Sequence, residues 1–180
     1  NTVYEIKKLI RPGRDISLNE AIKSISPGLD TGIIGFNICF DIPNIGSYKQ
    51  QIKFYDEVKK TSLEKGVISV FASEVNEELD INNKIEYINN LQPTLFISFN
   101  PEVNDSINYF KGTFSESLLG RKLAENLASS LQVKSIGKSS NILKQTKSVG
   151  IIINGKIYQK INIELIIESV VDTLNKQFEN

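Results

Sequence analysis

The sequence predicts an α/β fold: a three-layer sandwich with a mostly parallel, twisted sheet and helices on both faces. Three observations carry this. Apolar, β-prone runs alternate with amphipathic helical segments almost throughout the chain, the pattern of strands joined by crossover helices. The strand runs show little polar–apolar alternation, as expected when both faces of a sheet are covered. The 180 residues suffice to bury a sizeable core, so residues 1–180 are expected to form one domain.

Val3 to Ile10 reads as a strand that ends at the Pro-Gly turn of "RPGR". Ser17 and Glu20 have capping-box spacing, so a short helix should begin at Leu18 and stop before Pro27-Gly28. "TGIIGFNICFDI" is a strand or extended segment. A long helix follows from about Ser47, with Ile52, Tyr55, Val58, Ser62 and Leu63 at helical spacing and Gly66 as its C-cap. "VISVFAS" is a short buried strand, and "ELDINNKIEYINNL" is a helix with Ile81, Ile85 and Ile88 on one face. "TLFISF" is the next strand and stops at Asn100-Pro101. Thr113 and Glu116 form a second capping box, opening the helix "SESLLGRKLAENLASSLQ". Its Leu119, Leu123, Leu127 and Leu131 recur every four residues. "SVGIIING" is a strand and "INIELIIESVVDTLNKQF" the closing helix.

The bulk numbers narrow the function. Basic and acidic residues number 21 each, so the net charge is zero and no basic surplus points to nucleic acid. Cys39 is the only cysteine, which excludes an internal disulfide and a Cys-rich metal site. It reads as a buried apolar residue rather than a nucleophile. No apolar run reaches the roughly 20 residues of a membrane span. The chain opens on Asn1-Thr2 and contains no methionine. It is therefore expected to be an excised or processed domain, with any signal or anchor segment outside this chain. There is no histidine, hence no Ser-His-Asp or Cys-His set, and no P-loop or G-x-G-x-x-G. The pair Gly32 and Gly35 reads as a tight turn. Asp56, Glu57, Glu74 and Glu77 lie on charged stretches and read as solvated faces.

Residues 70–104, "VFASEVNEELDINNKIEYINNLQPTLFISFNPEVN", carry a resemblance. Asp80, Ile81, Lys84, Asn89 and "LFISF" fall in register with the zinc-dependent N-acetylmuramoyl-L-alanine amidases, a family of cell-wall and spore-cortex enzymes. That family continues with a helix similar to "SESLLGRKLAENLASSL". The resemblance implies an amidase-like fold. It also implies where the family's functional positions fall. The zinc-binding histidine at the end of the "LFISF" strand falls on Asn100. The first zinc histidine, which follows Asp-Pro-Gly, falls on Arg14 of "KKLIRPGR", or on Leu29 if "SPGLD" is the match. The zinc-binding glutamate that opens a helix falls on Ser47, and the catalytic glutamate falls on Asn154 of "GIIINGKI".

Zinc wants nitrogen, sulfur or carboxylate ligands and supplies a water with a pKa near 7. Arg14, Leu29, Ser47 and Asn100 are poor donors to it, and Asn154 cannot act as a general base. The expectation is therefore a vestigial site at Arg14, Ser47, Asn100 and Asn154, with no cofactor, no metal and no catalytic residue. The chain would be a pseudoenzyme, not an enzyme, acting in binding or scaffolding at the cell or spore envelope of a spore-forming or related Gram-positive bacterium. Its partner would be a peptidoglycan fragment or an envelope protein, held through Arg14, Lys84 and Glu102. Two alternatives stand beside this. One is a hydrolase of cell-wall material that uses Asp and Glu without zinc. The other is a purely structural assembly domain. If the chain is instead an unrelated α/β domain, Asn100-Pro101 is only a turn.

Overall fold

Ile38, Phe40, Ile97, Ile107 and Ile151 are wholly buried on one side of a six-stranded sheet, while Cys39, Phe96 and Ile152 are buried on the other. The computed structural model describes residues 37–42, 47–73, 79–101, 104–155 and 163–178. The expected strand at Val3–Ile10 and the helix opened by Ser17 and Glu20 lie outside the described residues. So do Arg14, Leu29 and Glu102.

In chain order the elements are β1 (Asn37–Asp41), α1 (Tyr48–Glu64), β2 (Ile68–Phe71), α2 (Ile81–Leu91), β3 (Leu95–Asn100), β4 (Ser106–Phe110), α3 (Leu118–Leu131), β5 (Lys134–Lys138), α4 (Asn141–Gln145), β6 (Val149–Asn154) and α5 (Ile163–Phe178). The strand order is β2-β1-β3-β6-β4-β5. β2, β1, β3 and β6 run parallel, β4 runs antiparallel to β6, and β5 is parallel to β4. The sheet is thus mostly parallel, as expected, with one reversed pairing inside it.

Successive strand side chains point to opposite faces, and here each face has its own helices. Tyr55 and Val58 of α1, Leu123 and Leu127 of α3, and Ile166, Ile167 and Val170 of α5 share one apolar cluster with Leu95, Ile97, Phe99, Ile151 and Ile153. On the other face Ile85 and Ile88 of α2 and Ile142 and Leu143 of α4 pack with Cys39, Phe96 and Ile152. Each fully buried Ile, Leu or Phe contributes about 1.5–3 kcal/mol relative to exposure, so these two layers dominate the stability. Leu63, placed by spacing on the packed stripe of α1, is instead exposed.

Helix ends follow their caps. Ser47 and Gln50 form a reciprocal capping box at the start of α1. Gly66, at φ +71°, follows the C-cap Lys65. Asp80 caps α2 by accepting from the backbone N–H groups of Asn82 and Asn83. The expected box at Thr113 and Glu116 is corrected. The N-cap of α3 is Ser117, which accepts from Gly120 N. Glu116 instead pairs with Lys111 in an antiparallel bridge, so the residues before Ser117 form a hairpin and not a helical turn. β4, β5 and α4 are additions to the elements expected from the sequence.

Candidate functional site

The C-terminal ends of β1, β3 and β6 lie side by side, the edge at which open α/β sheets commonly place chemistry. The register is explicit: Asp41 is opposite Ser98, and Asn100 is opposite Asn154. Across the antiparallel join, Asn154 faces Ser106 and Ile152 faces Asn108. Phe40, Ile42, Phe99, Ile153 and Ile107 all belong to the α1/α3/α5 core. By alternation Asp41, Ser98, Asn100, Asn154, Ser106 and Asn108 therefore share the other face. They form a polar belt above Cys39 and Phe96.

At one end of the belt is a buried ionic group. Asp41 is 6% exposed. Its Oδ1 lies 2.7 Å from Lys84 Nζ, and its Oδ2 accepts from Ser98 Oγ at 2.8 Å. Asp80 fixes the first turn of α2 and Ile85 and Ile88 seat its apolar face, so Lys84 comes over the end of β1. A charged pair removed from water is tolerated when both charges are paired and hydrogen-bonded. The negative charge of Asp41 also reaches Cys39. Burial first, and then Asp41, push that thiol up to about 12, so it stays protonated and is no nucleophile near neutral pH.

The middle of the belt is held by carboxamides. Asn154 is 2% exposed. Its Nδ2 donates to Ser106 Oγ at 3.2 Å and to the Ser106 carbonyl at 3.4 Å. Gly155 N then donates to the Asn100 carbonyl at 2.8 Å. Gly155 has φ +89°, and a Cβ there would lie 2.0 Å from Asp105 Oδ1; only glycine lets the chain leave β6 against Asp105. A second tie comes from Asn89 of α2, which donates to the Gln145 carbonyl at 3.1 Å and accepts from Lys147 N at 2.7 Å.

Of the positions inferred from the resemblance, Asn100 and Asn154 are brought together. Ser47 is exposed, and its hydroxyl accepts from Gln50 N to cap α1. Lys84 is paired with Asp41. Sequence reasoning missed Asp41, Ser98, Ser106 and Asn108. The available signal was that Asp41 ends an apolar strand run at the sheet edge where the next strands deliver their polar residues.

Among the described residues, Asp41 and Lys84 are the belt's acidic and basic side chains, and they pair with each other. The remainder are hydroxyls and carboxamides, which both donate and accept. Of these strand residues only Asn100 is not buried, so a ligand at this edge would meet its neutral carboxamide first. The arrangement does not fit zinc. Asn154 presents its amide nitrogen to Ser106, carboxamide oxygens are weak neutral donors, and Asp41 already holds Lys84 and Ser98. Among the described residues no three His, Cys, Asp or Glu side chains are grouped to hold a metal.

No protein-family model matches the chain, and no curated protein sequence matches it. Solved structures do. The catalytic domain of the CD27L endolysin, which targets Clostridia difficile, matches with a TM-score of 0.56 at 17% identity, covering 76% of this chain and 97% of that one. An N-acetylmuramyl-L-alanine amidase from Mycobacterium smegmatis matches with a TM-score of 0.58 at 8% identity, covering 81% and 98%. An N-acetylmuramoyl-L-alanine amidase from Clostridium difficile 630 matches with a TM-score of 0.54 at 15% identity, over 81% and 98%. The fold is that of the N-acetylmuramoyl-L-alanine amidases.

This corrects one expectation. The chain was expected not to be an enzyme, yet the structures that share its fold are amidases and an endolysin catalytic domain. The expectation rested on the lack of histidine and on Ser47 and Asn154 standing where the resemblance sets glutamates. That lack does not empty the amidase fold of acid–base groups, because its strand ends here hold a buried carboxylate, an ammonium and a hydroxyl within hydrogen-bond reach of one another. Among the described residues no helix is long and apolar enough to cross a membrane.

Proposed function

We propose that this chain is a peptidoglycan-directed domain of the cell envelope, and that the strand-end edge of β1, β3 and β6 receives a glycan–peptide strand. The observation that carries this is the pairing of Asn100 with Asn154 in an amidase fold. The resemblance sets a zinc ligand and the catalytic carboxylate of the amidases at these two positions, so the edge that handles substrate there is the edge that is polar here. Fold likeness alone is an analogy; the donor and acceptor groups of the belt give it chemistry. Peptidoglycan offers acetamido, hydroxyl and peptide groups, which match carboxamides and hydroxyls better than an ion would. The spore envelope and a Gram-positive source are part of this reading through the spore-cortex members of the family, as is an envelope protein that shares the same edge.

Sedimentation with purified cell-wall sacculi tests it. The chain should pellet with sacculi, and Asn100→Ala should weaken pelleting about tenfold, the loss of one or two hydrogen bonds. A chain that stays in the supernatant, or an Asn100→Ala variant that pellets like the wild type, would contradict the reading.

A second reading, hydrolysis of cell-wall material without zinc, is favoured by Asp41. A carboxylate fixed by Lys84 and Ser98 at the sheet edge has the geometry of an acid–base group held in one orientation. Release of free amino groups from sacculi should then fall at least a hundredfold in Asp41→Asn, while pelleting survives. Equal release by wild type and Asp41→Asn would remove this reading and leave the first intact.

A further inference from the structure

We propose that the hairpin between β4 and α3 is a docking knob for an anionic lipid surface, with Phe114 as the inserting side chain. Phe114 is 99% exposed, and Leu118, one residue into α3 from its cap, is 64% exposed. A phenyl ring left wholly in water is unusual, since aromatic side chains gain most from burial. The tip that carries it is not loose. Lys111 and Glu116 form an antiparallel bridge, Gly112 N donates to the Ser115 carbonyl at 2.8 Å, and Ser117 N donates to the Phe110 carbonyl at 3.1 Å. Ser117 in turn caps α3. Phe114 is thus displayed on a preformed turn, so little chain ordering is lost when it docks.

Charge selects the surface. Lys111 N donates to the Lys138 carbonyl at 3.1 Å, which sets these two exposed lysines at adjacent strand ends beside the base of the hairpin. Glu116, opposite Lys111, is paired with Arg121 at 3.3 Å, so the two lysines leave the base of the hairpin positive. An apolar tip over a positive base is the combination that enters the headgroup–acyl boundary while cations meet acidic headgroups. Two apolar side chains fall far short of the roughly 800 Å² per partner of a stable protein interface, whereas a bilayer needs no complementary pocket. Binding of this size is weak and reversible.

The hairpin's position gives the docking a direction. β4 is antiparallel to β6, so Ser106 sits beside Asn154 while Phe110 lies toward the opposite edge of the sheet. Four residues of strand span about 13 Å at about 3.3 Å each, and the knob lies beyond that. A domain docked through Phe114 holds its polar strand-end edge away from the bilayer. The inference stands without the function proposed above.

The chain contains no tryptophan, so Phe114→Trp supplies a single tryptophan at the tip, excited apart from the tyrosines. Its emission should shift to the blue with vesicles of equal phosphatidylglycerol and phosphatidylcholine, and lipids brominated on the acyl chain should quench it. Co-sedimentation of the otherwise unaltered chain with these vesicles should fall about tenfold in Phe114→Ala. Lys111→Glu with Lys138→Glu should lower it at least as much. Because the altered side chains are exposed, circular dichroism should be unchanged in every variant. Unshifted emission, equal binding to pure phosphatidylcholine, or full binding by Phe114→Ala would overturn the proposal. A lipid-free oligomer that Phe114→Ala dissociates would also overturn it, and would assign the knob to a second copy of the chain.

Discussion

The two faces of the sheet are built by different rules. The face under α1, α3 and α5 is apolar from one end to the other, from Leu95 through Ile97 to Phe99 along β3 alone. The face under α2 and α4 is apolar in its lower half, at Cys39 and Phe96, and polar above, at Asp41, Ser98, Asn100, Asn154, Ser106 and Asn108. The first face gains its stability from area removed from water, which depends on volume and little on which neighbour supplies it. The second depends on named partners, because a buried polar group that loses its partner keeps the full cost of desolvation. Five substitutions can break or sharpen this contrast.

Leu127→Ala, in the middle of the apolar face, should have the largest effect, a loss of about 3–5 kcal/mol in urea unfolding from lost burial plus the cavity left behind. A loss under about 1 kcal/mol would mean that α3 is not seated on the sheet as described. Lys84→Ala should cost about 3 kcal/mol, at the low end for a broken buried pair because the Lys84 side chain keeps 20% exposure. Here the second change is the informative one: adding Asp41→Ala to Lys84→Ala should restore part of the loss, since it removes the stranded charge. No restoration would show that the polar half of this face is held by packing, as the other face is.

Gly155→Ala should cost about 2 kcal/mol, because its φ of +89° and the contact with Asp105 both oppose a side chain. Equal stability of the two proteins would mean that the turn after β6 relaxes freely. Cys39 gives the smallest effect at neutral pH and a signed one above it. The folded thiol holds its proton up to about 12 against an ordinary value of 9.0. Unfolding therefore releases a proton in that interval, and stability falls as pH rises from about 9 toward 12, an added slope that Cys39→Ala should abolish. At pH 8 a thiol reagent should leave the native protein unlabelled and label it in urea.

The legibility of the fold followed the same division. β1, β3 and β6 were visible because their apolar runs face packed helices on both sides, α1 because apolar spacing runs up to Gly66, and α2 because Ile85 and Ile88 recur on one face. β4 was not, since "SINYF" interrupts its apolar residues with Asn108 and begins with Ser106, both of them serving the polar half of the second face. β5, "KSIGK", is an edge strand, and its terminal lysines make it read as a loop although they suit an exposed edge. Thr113 and Glu116 have the spacing of a helix cap, but the bridge between Lys111 and Glu116 and the cap at Ser117 took precedence. At the site, Asn100 could be found because it ends an unmistakable strand. The link of Asp41 to Ser98 could not, because it joins residues 57 apart in sequence through a register that no local pattern encodes, and Lys84 reaches Asp41 from a helix packed across that register.

β6 is the last of the described strands in the chain, yet it lies between β3 and β4. A ribosome that has delivered the residues up to Thr146 has produced two incomplete pieces, β2-β1-β3 and the β4–β5 pair, each with an open hydrogen-bonding edge. Only the arrival of residues 149–154 closes both edges at once. The nascent chain therefore passes through a stage at which two unpaired strand edges are exposed together, a stage prone to misassembly. The strand that ends this stage also carries Asn154, so the polar edge is incomplete in every partial product. Synthesis itself leaves the site without its Asn154 centre until the sheet is whole.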